Sequence, residues 1–584
     1  MIVTKEMTTM RRQFSDEHFA RTVFVLAAIV FSVYGISRVD TYLANAYDLG
    51  IFDQAVRHYA HFEAPIVTLK GDGYNIWADH FHPIIAVWAP LYWIWDNIRV
   101  LIIGQAIVVA ATVFPLWRFV SRHVSRPVWA KFFVILTMLG WPIQCLIDFD
   151  VHEIAFAIPL LAWIIDALDR RDDRTLLVCS ALLLLVREDM GVIVCVVGIL
   201  RFFIRHRYLD AGRENHGDLD AGRVQSELAR SAEAKEEVEA HSAEHGSSVA
   251  ACQSIKIPKS NNQRWIISLA LVIVGISVFI LTTTVVIPHF SGGEYQYWDY
   301  ADLGATPHDA LIFMVTKPWK VLWMLVAPVT KTWTWLALLV PLAFLPLRSP
   351  YSFMALPIMA ERMLASREHL WTLHFHYNSP VWIIACMATI DAISRLPHGV
   401  AAKPYAAVSG TTLGLGRTNE PVPRSARVGV RQWSRDKGGL IGVVSILMAI
   451  CLIVGSATTE IFPLRRMLTG AAFTLTPEAR SREQVVDWLP ADTCVAADNL
   501  VAGQLTHSHR ITVPGISEHR QDFYVLDFSQ PEPAVTPVMW TTQEAYDHAI
   551  GLRFSEAYRA GTITVLQAPD YNGPNAVECG PDSP

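Results

Sequence analysis

A chain of 584 residues that is 52% hydrophobic and only 17% charged, with 19 Trp and a positive mean hydropathy, carries more apolar surface than a soluble protein of this size buries. Its net charge of −6 comes without a basic stripe, which excludes the electrostatic footprint of a nucleic-acid partner. The eight cysteines include no CxxC or CxxH spacing, which excludes a zinc knuckle.

Residues 1–20 carry Lys5, Arg11 and Arg12 and are expected to lie in the cytoplasm, because short loops rich in Lys and Arg stay inside. The apolar run 21–37 has no A-x-A-like cleavage site after it and reads as an uncleaved first helix. A first outer loop, 38–97, follows. Within it "HFHPIIAVWAPLYWIWDN" is apolar and aromatic, but a full crossing there would place "RFVSRHVSR" outside, so 82–95 reads as an interfacial or half-inserted helix. Clear spans are expected at 98–119, 128–147 and 154–168, with a short hairpin at 176–186 and 190–204 tipped by "RED". These complete an N-terminal membrane region, 21–208.

The stretch 209–264 is polar and Ala/Ser/Glu-rich with "LDAGR" repeated, and it reads as a disordered cytoplasmic loop. A second membrane region, 265–395, opens with a clear span at 265–287 and closes with one at 379–394. The segment 396–438 is a basic cytoplasmic loop, and 439–459 is the last span. The expected fold is therefore mainly α, a polytopic membrane protein of roughly 11 spans. After it, 460–584 alternates helical and strand patterns and is expected as a small extracytoplasmic α/β domain. There Cys494 and Cys579 can pair in an oxidising space.

With this topology the ionisable residues near the membrane gather on one side. Asp48 and Asp53 follow the first span; His80 and His82 precede the interfacial helix; Asp150, His152 and Glu153 lie between the third and fourth spans; Arg187, Glu188 and Asp189 tip the hairpin; Arg362, Arg367, His374, His376 and Tyr377 lie further on. Charge at membrane depth is expensive and marks function by default, although each residue alone can be a helix cap. Carboxylates and imidazoles serve as general bases or metal ligands, and arginines neutralise phosphate. Such a set suits an enzyme acting on a lipid phosphate. In a helix, Asp48 and Asp53 stand about 140° apart, so one of these two candidate catalytic acids, Asp48, is expected as the base and Asp53 as the residue that caps or orients. Arg187, Arg362 and Arg367 are the candidate phosphate partners. Asp150, His152, Glu153, His80, His82, His374, His376, Tyr377, Glu188 and Asp189 are expected to line a polar cavity or hold a divalent metal; the mixed O and N donors suit Mg, Mn or Zn without naming one.

The segments "YDLGIFDQAV", "DHFHPIIAVWAPLYWIW", "FDVHEIAFAIPLL", "VREDMGV", "YADLG" and "HFHYNSPVWIIA" resemble the signature segments of a bacterial and archaeal membrane-protein family, the domain of unknown function 2079. That family in turn resembles the C-type glycosyltransferases, polytopic enzymes that take a sugar from a polyprenyl-phosphate donor and attach it outside the cytoplasmic membrane. The resemblance implies that Asp48 occupies the place of the superfamily's usual catalytic base, and that "DFDVHE" occupies the place of a second acidic motif that sometimes binds metal. The implied partners are a polyprenyl-phosphate-linked sugar, membrane lipid and a glycan, lipid or protein acceptor. The first outer loop lacks the D-x-D or E-x-D of the superfamily, and 209–263 has the look of an insertion. Two other readings stand beside the enzyme: a transporter or lipid flippase, which would place its acids at mid-bilayer between inverted repeats, and a scaffold presenting 460–584.

Overall fold

The computed structural model describes residues 2–217, 262–293, 295, 298–396, 437–517, 519–530 and 539–574. The chain is a mainly α-helical membrane protein with a small C-terminal α/β unit. Helices Glu17–Asp40, Arg99–His123, Pro127–Asp148, Trp265–Ser291 and Lys437–Thr458 are each long and apolar enough to cross a bilayer, and a sixth span would be the pair Pro318–Met324 and Val329–Leu339, bent by 69°. The remaining segments expected to span are shorter, such as Ile154–Arg170 and Ser379–Ser394. Residues 83–92 form a 3-10 turn and one short helical turn instead of a crossing helix, as Pro83 and Pro90 dictate by removing backbone donors.

Two boundaries differ from the sequence reading. The first helix begins at Ile2 and runs unbroken to Asp40, since no Pro or Gly interrupts residues 2–34. Helix Met190–Gly217 likewise continues into the segment expected as a disordered loop. The rest of that loop, most of the 396–438 loop and Cys579 lie outside the described residues, while Cys494 is disulfide-bonded.

The C-terminal unit holds a five-stranded sheet in the order β2-β1-β3-β5-β4, with β1 Cys494–Ala497, β2 Arg510–Thr512, β3 Phe523–Asp527, β4 Ser555–Ala560 and β5 Ile563–Gln567. β1 lies parallel between β2 and β3, and β5 runs antiparallel to β3 and β4. Side chains alternate across the sheet. Val495, Phe523, Val525, Ile563 and Val565 join the same continuous core as the membrane helices. Ala496, Tyr524, Leu526 and Leu566 form a second cluster with Ala545 and Ala549 of helix Thr542–Gly551. The α/β unit thus shares its hydrophobic core with the helical body, which fixes it over the loops of that face.

Candidate active site

The segment after the first long helix turns at Tyr42, tightens into the five-residue π-turn Ala46–Gly50 and relaxes into helix Ile51–Ala60. Asp48 lies in the π-turn. Its carboxylate is half-buried and, among the described residues, makes no hydrogen bond or ion pair. Burial first, then the neighbouring Asp150, pushes its pKa up to about 8, against the opposing charges of Lys70 and Arg38. A carboxyl poised there exchanges a proton near neutral pH.

Asp53 has the opposite environment. It is fully buried, accepts a hydrogen bond of 2.6 Å from the Tyr92 hydroxyl and pairs with Arg57 at 3.2 Å. It braces the helix that follows the turn, while Asp48 has no such partner among the described residues.

The backbone around Asp48 is held by its neighbours in space. Asp150 takes a left-handed φ of 61°, a conformation that persists in a non-glycine residue only when its surroundings impose it. Here Arg38 pairs with its carboxylate at 3.1 Å, and Asn45 donates its backbone N–H at 2.7 Å and its side-chain amide at 3.2 Å. Arg38 also reaches Asp148 at 2.9 Å and the Leu43 carbonyl at 2.8 Å. From the other side Asn499, in the α/β unit, accepts the Tyr47 N–H at 2.8 Å and donates to the Asn45 side-chain oxygen at 2.9 Å. Asp150 is therefore an anchor for the turn, its carboxylate already matched to Arg38.

A second layer of charge lies beside the turn. A bend with Gly71 at φ +142° and Gly73 at φ +66° returns Lys70 to Asp79, 2.6 Å away, with its ammonium over the Tyr47 ring at 5.1 Å. Burial alone would lower the Lys70 pKa, but the Asp79 carboxylate more than offsets it and keeps the ammonium charged. His80 sits 2.7 Å from Glu188; despite burial, that contact pushes the imidazole up to about 9. Arg187 forks onto Asp189 at 2.8 and 2.7 Å and lies 4.0 Å from Glu153 and 3.9 Å from Glu361. Despite burial, the His152 imidazole 2.8 Å away, with Arg187 beyond it, holds the Glu153 carboxyl well below the usual range.

An aromatic wall completes the group. The His152 and His376 rings stack at 3.7 Å, Phe149 meets His376 at 4.6 Å and Phe52 meets His82 at 5.5 Å. Burial keeps His82 and His376 neutral, and among the described residues His82 Nδ1 and both His376 nitrogens have no hydrogen-bond partner. Tyr377 ties the layers together. Its hydroxyl is pushed up to about 12 by burial and by Asp48, with Arg187 and Arg362 opposing.

Three expected residues stand apart from this arrangement. Arg362 is buried and committed to the Leu370 carbonyl at 2.8 Å, the Tyr377 carbonyl at 3.1 Å and Asn378 at 3.0 Å. Arg367 pairs with Asp299 at 2.8 Å at a partly exposed position, and His374 is exposed. Of the three arginines expected to meet phosphate, only Arg187 lies among the clustered acids. Sequence reasoning missed Lys70, Arg38, Asn45 and Asn499. The "KGDG" turn was the one local signal for Lys70; the other three are legible only through their distant partners.

The donor set does not fit a divalent metal. Among the described residues no three His, Cys, Asp or Glu side chains are grouped to hold one. The expected ligands Asp150, Glu153, Glu188 and Asp189 are matched instead to Arg38, His152, His80 and Arg187.

No curated protein matches the chain. Two crystal structures of ArnT from Cupriavidus metallidurans are similar: one, bound to undecaprenyl phosphate, at 10% identity over 95% of this chain and 99% of its own with a TM-score of 0.43, and the other, in the apo state, at 11% identity over 96% and 99% with a TM-score of 0.38. A family model described as a predicted membrane protein, DUF2079, matches residues 38–416. That match covers more than half the chain and takes in the turn with Asp48, the Lys70 bend, the "DFDVHE" and "RED" segments and the His376 wall, so the protein is a member of the DUF2079 family of membrane proteins.

Proposed function

We propose that this protein is an integral-membrane glycosyltransferase that moves a sugar from a polyprenyl-phosphate donor to an acceptor on the extracytoplasmic side. The observation that carries the reading is Asp48: a carboxylate without a partner among the described residues, its proton affinity raised, in a turn whose backbone is fixed from two sides. In the reaction the acceptor hydroxyl gives its proton to Asp48 while its oxygen bonds to the anomeric carbon. The bond from that carbon to the phosphate oxygen breaks, and the phosphate leaves with the electron pair. Lys70 and Arg187 supply the positive charge that favours its departure, in the role a metal would otherwise fill. The nitrogens of neutral His82 and His376 that have no partner among the described residues suit the hydroxyls of the sugar, since neutral imidazole both donates and accepts.

The same reading sets the orientation, with the N-terminus cytoplasmic and the α/β unit outside; the disulfide at Cys494 suits an oxidising space. The test is transfer of labelled sugar from a polyprenyl-phosphate donor by membranes bearing wild type or Asp48→Asn, with expression and thermal stability measured alongside. Loss of transfer in a stably folded Asp48→Asn protein supports the assignment. Transfer that survives the substitution removes Asp48 as the base.

A further inference from the structure

A cavity of about 310 Å³ opens at the carboxyl ends of the three parallel strands β1, β2 and β3. Its size falls at the lower end of the roughly 300–1,000 Å³ of small-molecule sites, and its place is where open parallel sheets hold ligands. Asp498 follows β1 and Asp527 ends β3; Asn499, Gln530, Trp540 and Thr542 also line it. Asn45 forms the wall shared with the turn that carries Asp48.

The lining has a definite chemistry. Among the described residues it includes two acids and no Lys, Arg or His. Asp527 is fully engaged: Arg482 donates to one oxygen at 2.7 Å, and Ser529 donates its N–H and hydroxyl to the other at 3.0 and 2.6 Å. Asp498 uses one oxygen only, accepting the Asp527 N–H at 2.6 Å and the Thr542 hydroxyl at 3.1 Å, and its Oδ1 has no partner among the described residues. The Gln530 amide and the Trp540 indole N–H are also without partners among the described residues. Trp540 is half-buried, packed against Gly515 and against the His548 ring at 4.5 Å.

An acid with an open lone pair, a free amide, a free indole N–H and an aromatic face are the groups that bind a polyhydroxylated ring by hydrogen bonds and stacking. The absence of cations among them disfavours any anionic group, which separates this cavity from the site that meets the donor phosphate. We propose that it is the acceptor subsite, and that the acceptor is a neutral carbohydrate. This rests on the glycosyltransferase reading. Asn45 joins the two sites physically: it lines the cavity, and three residues later the same turn presents Asp48. An acceptor seated here lies along the loop that holds the base.

The test uses the full-length protein in detergent and three uncharged probes, cellotriose, mannotriose and chitotriose, with trigalacturonate as an anionic counterpart, by titration calorimetry. At least one neutral trisaccharide is expected to bind, with affinity falling tenfold or more in Trp540→Ala and severalfold in Gln530→Ala, and with trigalacturonate at least tenfold weaker. Gln530 is exposed, so its variant keeps the test valid if Trp540→Ala fails to fold. Binding of none of the neutral probes, unchanged affinity in Gln530→Ala, or equal binding of trigalacturonate overturns the proposal. Asp48→Asn is expected to bind the trisaccharide as wild type does. Neutral-sugar binding without any transfer from a polyprenyl-phosphate donor would refute the transferase reading alone, whereas transfer without such binding would refute the acceptor subsite alone.

Discussion

Replacing Arg38 by Met removes the cation that buried Asp150 and half-buried Asp148 share. Arg38 is 8% exposed and Asp150 1%, and their contacts at 2.9 and 3.1 Å to Asp148 and Asp150 are the only ion pairs Arg38 makes among the described residues. Breaking a buried pair from one side costs about 3–5 kcal/mol, because the remaining charge stays desolvated. Here part of the loss is offset. Asp150 keeps two hydrogen bonds from Asn45, and Asp148 keeps the Tyr34 hydroxyl at 2.6 Å and Arg466 at 3.5 Å. The expected penalty is therefore about 3 kcal/mol, the low end of that range. Adding Asp150→Asn removes the orphaned charge while keeping an acceptor for Asn45, so the double variant should recover about 1.5 kcal/mol or more, the value of one hydrogen bond to a charged group. The assay is denaturant unfolding of the full chain in detergent for wild type, both single variants and the double. A double variant whose destabilisation equals the sum of the singles within about 0.5 kcal/mol would refute the account of Asp150 as an anchor held by Arg38.

Three other predictions follow from the same geometry. If Asp48 is the base, transfer should rise with pH through about 8, the position of its raised carboxyl; a rate already at its plateau at pH 6 would contradict this. The His80–Glu188 contact raises the folded imidazole to about 9 from 6.5, so its contribution is complete below 6.5 and is lost as pH rises through 9. The stability gap between wild type and His80→Gln should be wider at pH 6 than at pH 10, and an equal gap at both would count against the pair. A Cβ on Gly503 would lie 3.3 Å from the Ala46 nitrogen, so Gly503→Val should force the α/β unit off the Asp48 turn at about 1–3 kcal/mol; hydrogen exchange at the Tyr47 amide should accelerate, and unchanged protection would refute the contact.

The elements that sequence pattern made legible are those whose signal is local. The runs at 98–119 and 128–147 became the spans Arg99–His123 and Pro127–Asp148, and "DFYVLDF" and "GTITVLQAP" became β3 and β5. Strand β4, with the polar sequence SEAYRA and one face exposed, was missed because its alternation is weak and β5 alone specifies it. The gathering of acids and histidines followed from topology and is present in the Arg187, Glu188 and His152 layers. What sequence could not give was the matching of charges. Nothing near Arg38 announces that it serves Asp148 and Asp150, more than a hundred residues on, and Arg362 looks like a phosphate ligand until its carbonyl partners are seen.

The contrast between Asp48 and Asp53 shows why that matching carries the functional argument. Both are acids in one short segment, both are withdrawn from bulk water, and a fold selected only for stability would satisfy both. Asp53 is satisfied, by a tyrosine hydroxyl and an arginine one turn along its own helix. Among the described residues Asp48 is not, although Lys70 and Arg38 are near enough to act on its proton affinity; each is committed to another acid, Asp79 or Asp150. Meanwhile the hydrogen bonds that hold the turn go to its neighbours in the chain, Asn45 and Tyr47. The protein thus fixes where this carboxylate sits while leaving its oxygens open, an arrangement that is unfavourable for folding and suited to receiving a proton from a bound hydroxyl.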